Sequence, residues 1–298
     1  IYIMEEIIKF TNKNLDIKGE LIAISTLRPW INAGRVGSIA LNKLKNITDA
    51  KLVGSLKNPG SFFDFTRYRP RFKYTKDKRK LLIPNIEISL GNHNNKDMSF
   101  LFIDIREPHY NAELLIQNLF KMFKELNIKE YCRIGSMYDS VPHTRPLVVS
   151  GSNMRKSKLI RTSNNKYQGP TSIINLLSEK LSKINIETSN LMVHIPQYIQ
   201  LDNDYFASAK ILECLSEIYD LDSSIADNSF GETQYKDFTE SLKFNPELNK
   251  LVSALEKYYD SNFSKPDKNL SDESNDQITP MSGDLEDFLD SMSSKFEE

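Results

Sequence analysis

Two short runs, 100–105 (FLFIDI) and 191–195 (LMVHI), are apolar at nearly every position. They lack the one-in-two alternation of a half-wetted strand and are far too short to cross a bilayer. A strand that is apolar on both faces has to be covered on both faces, which is the situation of a parallel sheet between two layers of helices. Further strand-like runs lie at 21–25, 51–56, 62–74, 86–90, 131–137 and 147–150, and helical periodicity falls between them at 36–46, 112–126, 171–184 and 205–219. The alternation predicts an α/β chain: a three-layer α/β/α sandwich on a mostly parallel sheet. In 112–126, Leu115, Leu119, Met122, Phe123 and Leu126 make one stripe, with Asn111 at the N-cap position. In 205–219, Ile211, Leu212, Leu215 and Ile218 do the same, with Asp202 and Asp204 near the positive end of the helix dipole; Cys214 reads as a small packed hydrophobe.

Past Leu221 the pattern is helical without strands, over 235–242 and 246–259. The expected organisation is therefore an α/β/α domain over 18–221, a helical extension over 222–260 and an acidic tail over 261–298. Residues 261–283 hold few apolar side chains and are expected to be flexible. The sequence GDLEDFLDSMSSKFEE that follows places Leu285, Phe288, Leu289, Met292 and Phe296 on one helical face, with Asp284 as N-cap and Asp287 in the first turn. This short acidic helix either docks back on its own chain or recognises another protein.

Composition narrows the function classes. The net charge of -1 hides a division: residues 260–298 carry eleven Asp or Glu against three Lys, about -8, which leaves about +7 spread over the rest. No run reaches the length of a membrane helix, and no basic and apolar leader opens the sequence. Two cysteines, Cys132 and Cys214, make no disulfide scaffold and suit a reducing, cytoplasmic location.

The motifs are fragments rather than complete sites. WINAGRVGSIA, at 30–40, sets Gly34, Arg35 and Gly37 after the first strand and before a helix, where anions settle in α/β folds. It lacks the lysine of a P-loop and the third glycine of a dinucleotide loop, so the turn reads as structural before it reads as ligand-binding. FFDFTRYRPRFKYTKDKRK, at 62–80, alternates Arg67, Arg69, Arg71 and Lys73 with Tyr68, Phe72 and Tyr74. It is expected to be a strand with inward aromatics and outward arginines, near an edge because of Pro70, rather than a nucleic-acid surface. His93, His109, His143 and His194 match no metal spacing, so no metal and no cofactor is expected; His194 reads as a hydrogen-bonded core residue. VPHTRP is the exception: His143, Thr144 and Arg145 stand side by side between two prolines at a strand end, fit to bind an anion, hold a base or plug a subunit contact. No GxSxG elbow occurs; Gly135-Ser136 and Gly151-Ser152 are generic, and Asp104 and Glu107 end a strand as candidate acid-base groups or helix caps. No complete catalytic set can be read.

The order of these segments carries more than any one of them. GRVGSIA, FFDFTRYRP, LFIDIREPHY, YCRIGSMYDSVPHTRP, LVVSGSN and LMVHIPQYIQLDNDYFASAKILECL, across about residues 18 to 220, together resemble the proteasome assembly chaperone 2 family, especially its bacterial branch. The resemblance implies a nucleoside-phosphorylase-like α/β/α fold with a C-terminal helical extension, and self-association, often as trimers. It implies a chaperone or adaptor role for archaeal and eukaryotic relatives and an undefined role for bacterial ones. Older naming of related proteins as ATP-grasp carboxylate-amine ligases finds no support in the residues above. Relatives that dock on proteasome rings end in hydrophobic-Tyr-X, whereas this sequence reads Phe296-Glu297-Glu298 there. The expectation is a non-enzymatic, self-associating adaptor with the 285–296 helix as partner hook. The competing expectation is a protein that binds a nucleotide or phosphorylated metabolite, or an ATP-dependent carboxylate-amine ligase, with Gly34, Arg35 and Gly37 facing His143, Thr144 and Arg145.

Overall fold

The computed structural model describes residues 6–12, 14–75, 78–152, 159–162, 171–242 and 244–263. In chain order the first half runs β1 (Ile8–Phe10), β2 (Glu20–Arg28), α1 (Val36–Ile47), β3 (Lys51–Leu56), β4 (Arg71–Thr75), β5 (Lys78–Leu82), β6 (Glu87–Asn92), β7 (Met98–Arg106) and α2 (Ala112–Glu125). The second half runs β8 (Glu130–Asp139), β9 (Val149–Ser152), β10 (Arg161–Thr162), α3 (Ile173–Ser182), β11 (Glu187–Pro196), α4 (Tyr205–Tyr219), α5 (Ser229–Leu242) and α6 (Pro246–Phe263). Nine strands form one sheet in the order β1-β3-β6-β7-β2-β8-β11-β9-β10. Its centre, β7-β2-β8-β11, is parallel, and antiparallel pairs flank it on either side.

The doubly apolar strands sit where the pattern requires. Along β2 and β7, Ile22 pairs with Phe100 and Ile24 with Phe102, and these residues pack with Cys132, Ile134, Leu191 and Val193 under α1 and α4. The alternate residues Leu21, Ala23, Leu101, Ile103 and Tyr131 point the other way and pack under α2 and α3. The side chains of both layers are almost fully buried, and each fully buried large aliphatic side chain contributes about 1.5–3 kcal/mol, so the two cores hold the sheet between its helices. The helices beyond the sheet extend the first of these cores: Tyr235, Leu242, Leu251 and Leu255 from α5 and α6 join the cluster of α1 and α4.

One local expectation fails, and another holds in position but not in side-chain role. Residues 62–70 are not a strand; Phe62 and Phe63 turn into the core, and only from Arg71 does the chain extend, pairing with β5 as a separate two-stranded hairpin. Its aromatics do not pack inward, since Phe72 and Tyr74 are exposed. Asn111 occupies the N-cap position of α2 but with φ of 55°, and its side chain donates to the Ser61 carbonyl at 2.8 Å instead of capping. The 285–296 helix lies outside the described residues. Among the described residues no helix is long and apolar enough to cross a membrane.

Candidate functional site

Because β2 and β8 are parallel, the turns after them share the carboxyl rim of the sheet. The 29–35 turn is held by side chains of its own neighbourhood. Asn32 donates to the Ser38 hydroxyl at 2.9 Å and accepts the Ser38 amide at 3.2 Å, so one of the first amides of α1 is already satisfied. Ser136 donates to the carbonyls of Ile31 (amide, 3.1 Å) and Ala33 (hydroxyl, 2.6 Å). Gly34 has a φ of 55°, and a Cβ there would lie 2.8 Å from that of Asp204. A Cβ on Gly37 would lie 2.4 Å from Thr26 Oγ1 and 3.1 Å from the Ile134 carbonyl oxygen, so this glycine lets α1 press onto the sheet. Arg35 is exposed.

The 143–145 turn is clasped by the last two helices. The His143 imidazole is buried; its Nε2 faces Thr239 Oγ1 at 3.1 Å, and its Nδ1 faces the Tyr198 hydroxyl at 2.7 Å. Thr239 spends its own proton on the Tyr235 carbonyl at 2.7 Å, so Nε2 donates and Nδ1 accepts from Tyr198, the pattern of a neutral imidazole. Burial accordingly holds the His143 pKa below the usual histidine value, with the Glu256 charge opposing. Thr144 donates to Glu256 at 2.5 Å, and Arg145 makes a two-pronged pair with Asp260, both contacts 2.8 Å, plus a contact of 3.1 Å to Glu256. Tyr259 closes the clasp with a 2.8 Å bond to the Pro146 carbonyl. All three side chains of the motif therefore meet α5 or α6.

Asp204 joins the two turns. Its amide donates to the Gly34 carbonyl at 2.8 Å, its Oδ1 caps α4 through the Ala207 amide at 2.8 Å, and its Oδ2 accepts the Tyr235 hydroxyl at 2.8 Å. Tyr235 in turn stacks on Phe206 and approaches the His143 ring. Burial pushes the Asp204 carboxyl above its ordinary range, against the bonds it accepts. The space between Gly34 and His143 is thus spanned by protein groups.

A second constellation escaped the sequence. Ser150 Oγ lies 2.8 Å from His194 Nε2, and His194 Nδ1 lies 2.6 Å from Asp139 Oδ2. Burial opposes ionisation of Asp139, but the His194 contacts and the Ser140 amide outweigh it and hold the carboxyl below its ordinary value. The serine-imidazole-carboxylate order matches that of an activated nucleophile. Ser150, however, sits within β9, paired with Met192 on one side and Arg161 on the other, so the amides around it serve sheet ladders rather than an oxyanion. The three residues lie on β8, β9 and β11, and only the strand order brings them together. His93 and His109 are structural: His93 Nδ1 accepts the amides of Asn95 and Lys96, and His109 Nδ1 that of Asp64. Asp104 pairs with Arg28 at 2.6 Å, and burial raises the Glu107 carboxyl; neither caps α2. Both cysteines are buried free thiols. Among the described residues no group of three His, Cys, Asp or Glu side chains is placed to hold a metal.

The architecture has solved counterparts. A protein of unknown function from Corynebacterium glutamicum is 19% identical with a TM-score of 0.75, over 87% of this chain and 98% of its own. A proteasome-assembly chaperone homologue from Mycobacterium tuberculosis is 20% identical with a TM-score of 0.68, over 78% and 99%. The Pyrococcus furiosus archaeal proteasome activator PbaB is 15% identical with a TM-score of 0.59, over 80% and 98%. These likenesses show a shared fold. No curated protein sequence matches the chain. The PAC2 family model matches residues 26–238, a span that begins in β2, takes in both rim turns and the Asp204 junction, and ends in α5; the chain belongs to the PAC2 family.

Proposed function

We propose that this PAC2 protein is a non-enzymatic, self-associating chaperone or adaptor: the α/β/α layers are a scaffold, 222–260 a brace on its rim, and the 285–296 segment a hook for a protein partner. The observation that carries this reading is the use of VPHTRP. The motif richest in chemistry gives its imidazole, hydroxyl and guanidinium to α5 and α6, which favours a structural joint over a ligand cradle. The proteasome-related names of two structural relatives support a chaperone-like role. Native mass spectrometry tests self-association: a multiple of the 34.4 kDa subunit is expected, trimer first, and a monomer at micromolar concentration would overturn it.

The Ser150-His194-Asp139 geometry favours a second reading, a serine hydrolase. A fluorophosphonate probe separates the two. The adaptor reading expects no more labelling of the wild type than of Ser150→Ala, and stoichiometric labelling of Ser150 would establish the hydrolase. A nucleotide or phosphorylated metabolite bound between the rim turns is the remaining alternative; a ligand at a hundred times its Kd would add about 2.7 kcal/mol in a thermal-shift screen.

A further inference from the structure

The loops that leave β2 and β7 part to opposite faces of the sheet. The chain after β2 runs to α1, which packs on the first core, and the chain after β7 runs to α2, which packs on the second. Adjacent parallel strands whose connections diverge in this way leave a crevice at their carboxyl ends, the usual place for a ligand in an open α/β sheet. The residues that end the two strands here are Arg28 and Arg106. They are direct partners in the β2–β7 register, one strand spacing of about 4.8 Å apart. The Glu107 amide donates to the Arg28 carbonyl at 2.7 Å, which fixes the strand ends side by side.

Like charges on neighbouring strands repel, and the protein neutralises only one of these two. Arg28 donates through Nε to Asp104 Oδ1 at 2.6 Å, and its Nη groups make no hydrogen bond among the described residues. Arg106 forms no ion pair and no side-chain hydrogen bond among the described residues, and its Nε is buried without an acceptor. Its guanidinium carbon lies 4.6 Å from the centre of the Tyr68 ring, and Tyr68 in turn lies against His109 with ring centres 4.5 Å apart. The plane of this guanidinium is therefore held by stacking rather than by an acid. Burial, and after it the Arg28 charge, pulls Arg106 below the ordinary arginine value, with Asp104 opposing. Glu87 of β6 and Glu107 are further carboxylates in the neighbourhood, and neither reaches an arginine at ion-pair distance. A side chain needed only to cover Tyr68 would be apolar; a partly buried guanidinium with no acidic partner is costly until an anion meets it.

We propose that Arg28 and Arg106 form a phosphate site: their unbonded N–H groups take the phosphoryl group of a small phosphorylated molecule, with Asp104 setting the Arg28 fork and Tyr68 the Arg106 fork. A phosphoryl group brings three acceptor oxygens and nearly two negative charges, enough to meet two guanidinium forks where a single carboxylate meets one. The site shares no residue with the 29–35 and 143–145 turns and does not depend on the adaptor reading. Isothermal titration of the full chain with inorganic phosphate, at constant ionic strength in chloride, tests it. Saturable binding is expected in the wild type, weaker by about tenfold in R106M and in R28M, and unchanged in R35M, whose exposed side chain lies in the neighbouring turn. R106K keeps the charge but loses the fork, so it should also bind about tenfold less tightly, and it serves where R106M does not fold. The proposal is overturned if the wild type shows no saturable binding up to about 10 mM phosphate, or if malonate binds as tightly as phosphate. It is also overturned if the Arg106 variants bind as tightly as the wild type, or if R35M loses as much as they do.

Discussion

Replacing Asp204 with alanine removes two functions of one carboxylate at once. The N-cap of α4 loses its acceptor for the Ala207 amide, a change worth about 1 kcal/mol. The Tyr235 hydroxyl, on a side chain only 6% exposed, loses its acceptor as well, and a buried donor left unsatisfied costs about 1–3 kcal/mol. Removing a carboxylate whose ionisation burial already disfavours returns part of this, so the expected loss is about 2 kcal/mol in all. At about 2–4 °C per kcal/mol that is a fall of about 4–8 °C in melting temperature. Asp204→Asn keeps an acceptor oxygen for the Ala207 amide, but its NH2 can only donate to the Tyr235 hydroxyl, which must reorient; it should cost about 1 kcal/mol, less than the alanine variant. A cycle with Tyr235→Phe should show a coupling of about 1–2 kcal/mol, because both changes break the same contact. The pH dependence has a definite sign. The folded-state pKa of Asp204 is raised, so this group's contribution is complete below the ordinary carboxylate range and is lost as pH rises through the raised value. Wild type should therefore gain on Asp204→Asn as the solution is acidified. Calorimetry or chemical denaturation of wild type, Asp204→Ala, Asp204→Asn, Tyr235→Phe and the Asp204→Ala/Tyr235→Phe double variant measures all of this. An Asp204→Ala variant as stable as wild type, or more stable, would refute the reasoning; it would mark Asp204 as a carboxylate kept for a ligand at the expense of stability.

Further outcomes follow from the same geometry. Gly37→Ala should cost about 1–3 kcal/mol by overpacking against Thr26 and the Ile134 carbonyl, and Thr26→Ala should recover part of that loss in the double variant, as read by denaturation. His143 is held neutral by burial, so wild-type stability should fall as pH drops below the ordinary histidine value towards its lowered folded-state pKa, and His143→Gln should flatten that limb of the stability curve. Burial raises the thiols of Cys132 and Cys214 to about 12, so neither should react with a maleimide in the native protein, and both should react promptly in denaturant.

The layers were legible because burial on both faces leaves a mark in composition: 100–105 and 191–195 show no polar alternation, and the helices between strands show one stripe each. The stretch 62–74 was misread because arginine and aromatic residues alternate there for two unrelated reasons. Phe62 and Phe63 enter the core from a turn, while Phe72 and Tyr74 ride an exposed hairpin. VPHTRP was visible as a polar turn, but its partners Thr239, Glu256 and Asp260 lie about a hundred residues downstream on helices whose angle to the sheet no periodicity encodes. Ser150, His194 and Asp139 were invisible as a set for the same reason: the crossing from β8 to β11, with β9 antiparallel beside it, determines that they meet.

The structure also sharpens how the partner hook is to be tested. Asp260 and Phe263 belong to the clasp and its neighbouring cluster, so a cut after Phe263 removes the acidic segment and leaves that joint intact. The decisive measurement is affinity capture from native cells with the full chain and with the chain ending at Phe263, scored by quantitative mass spectrometry. A protein partner enriched with the full chain and lost with the shortened one is the predicted result. No partner with either, or the same partners with both, would contradict the adaptor reading of the 285–296 segment.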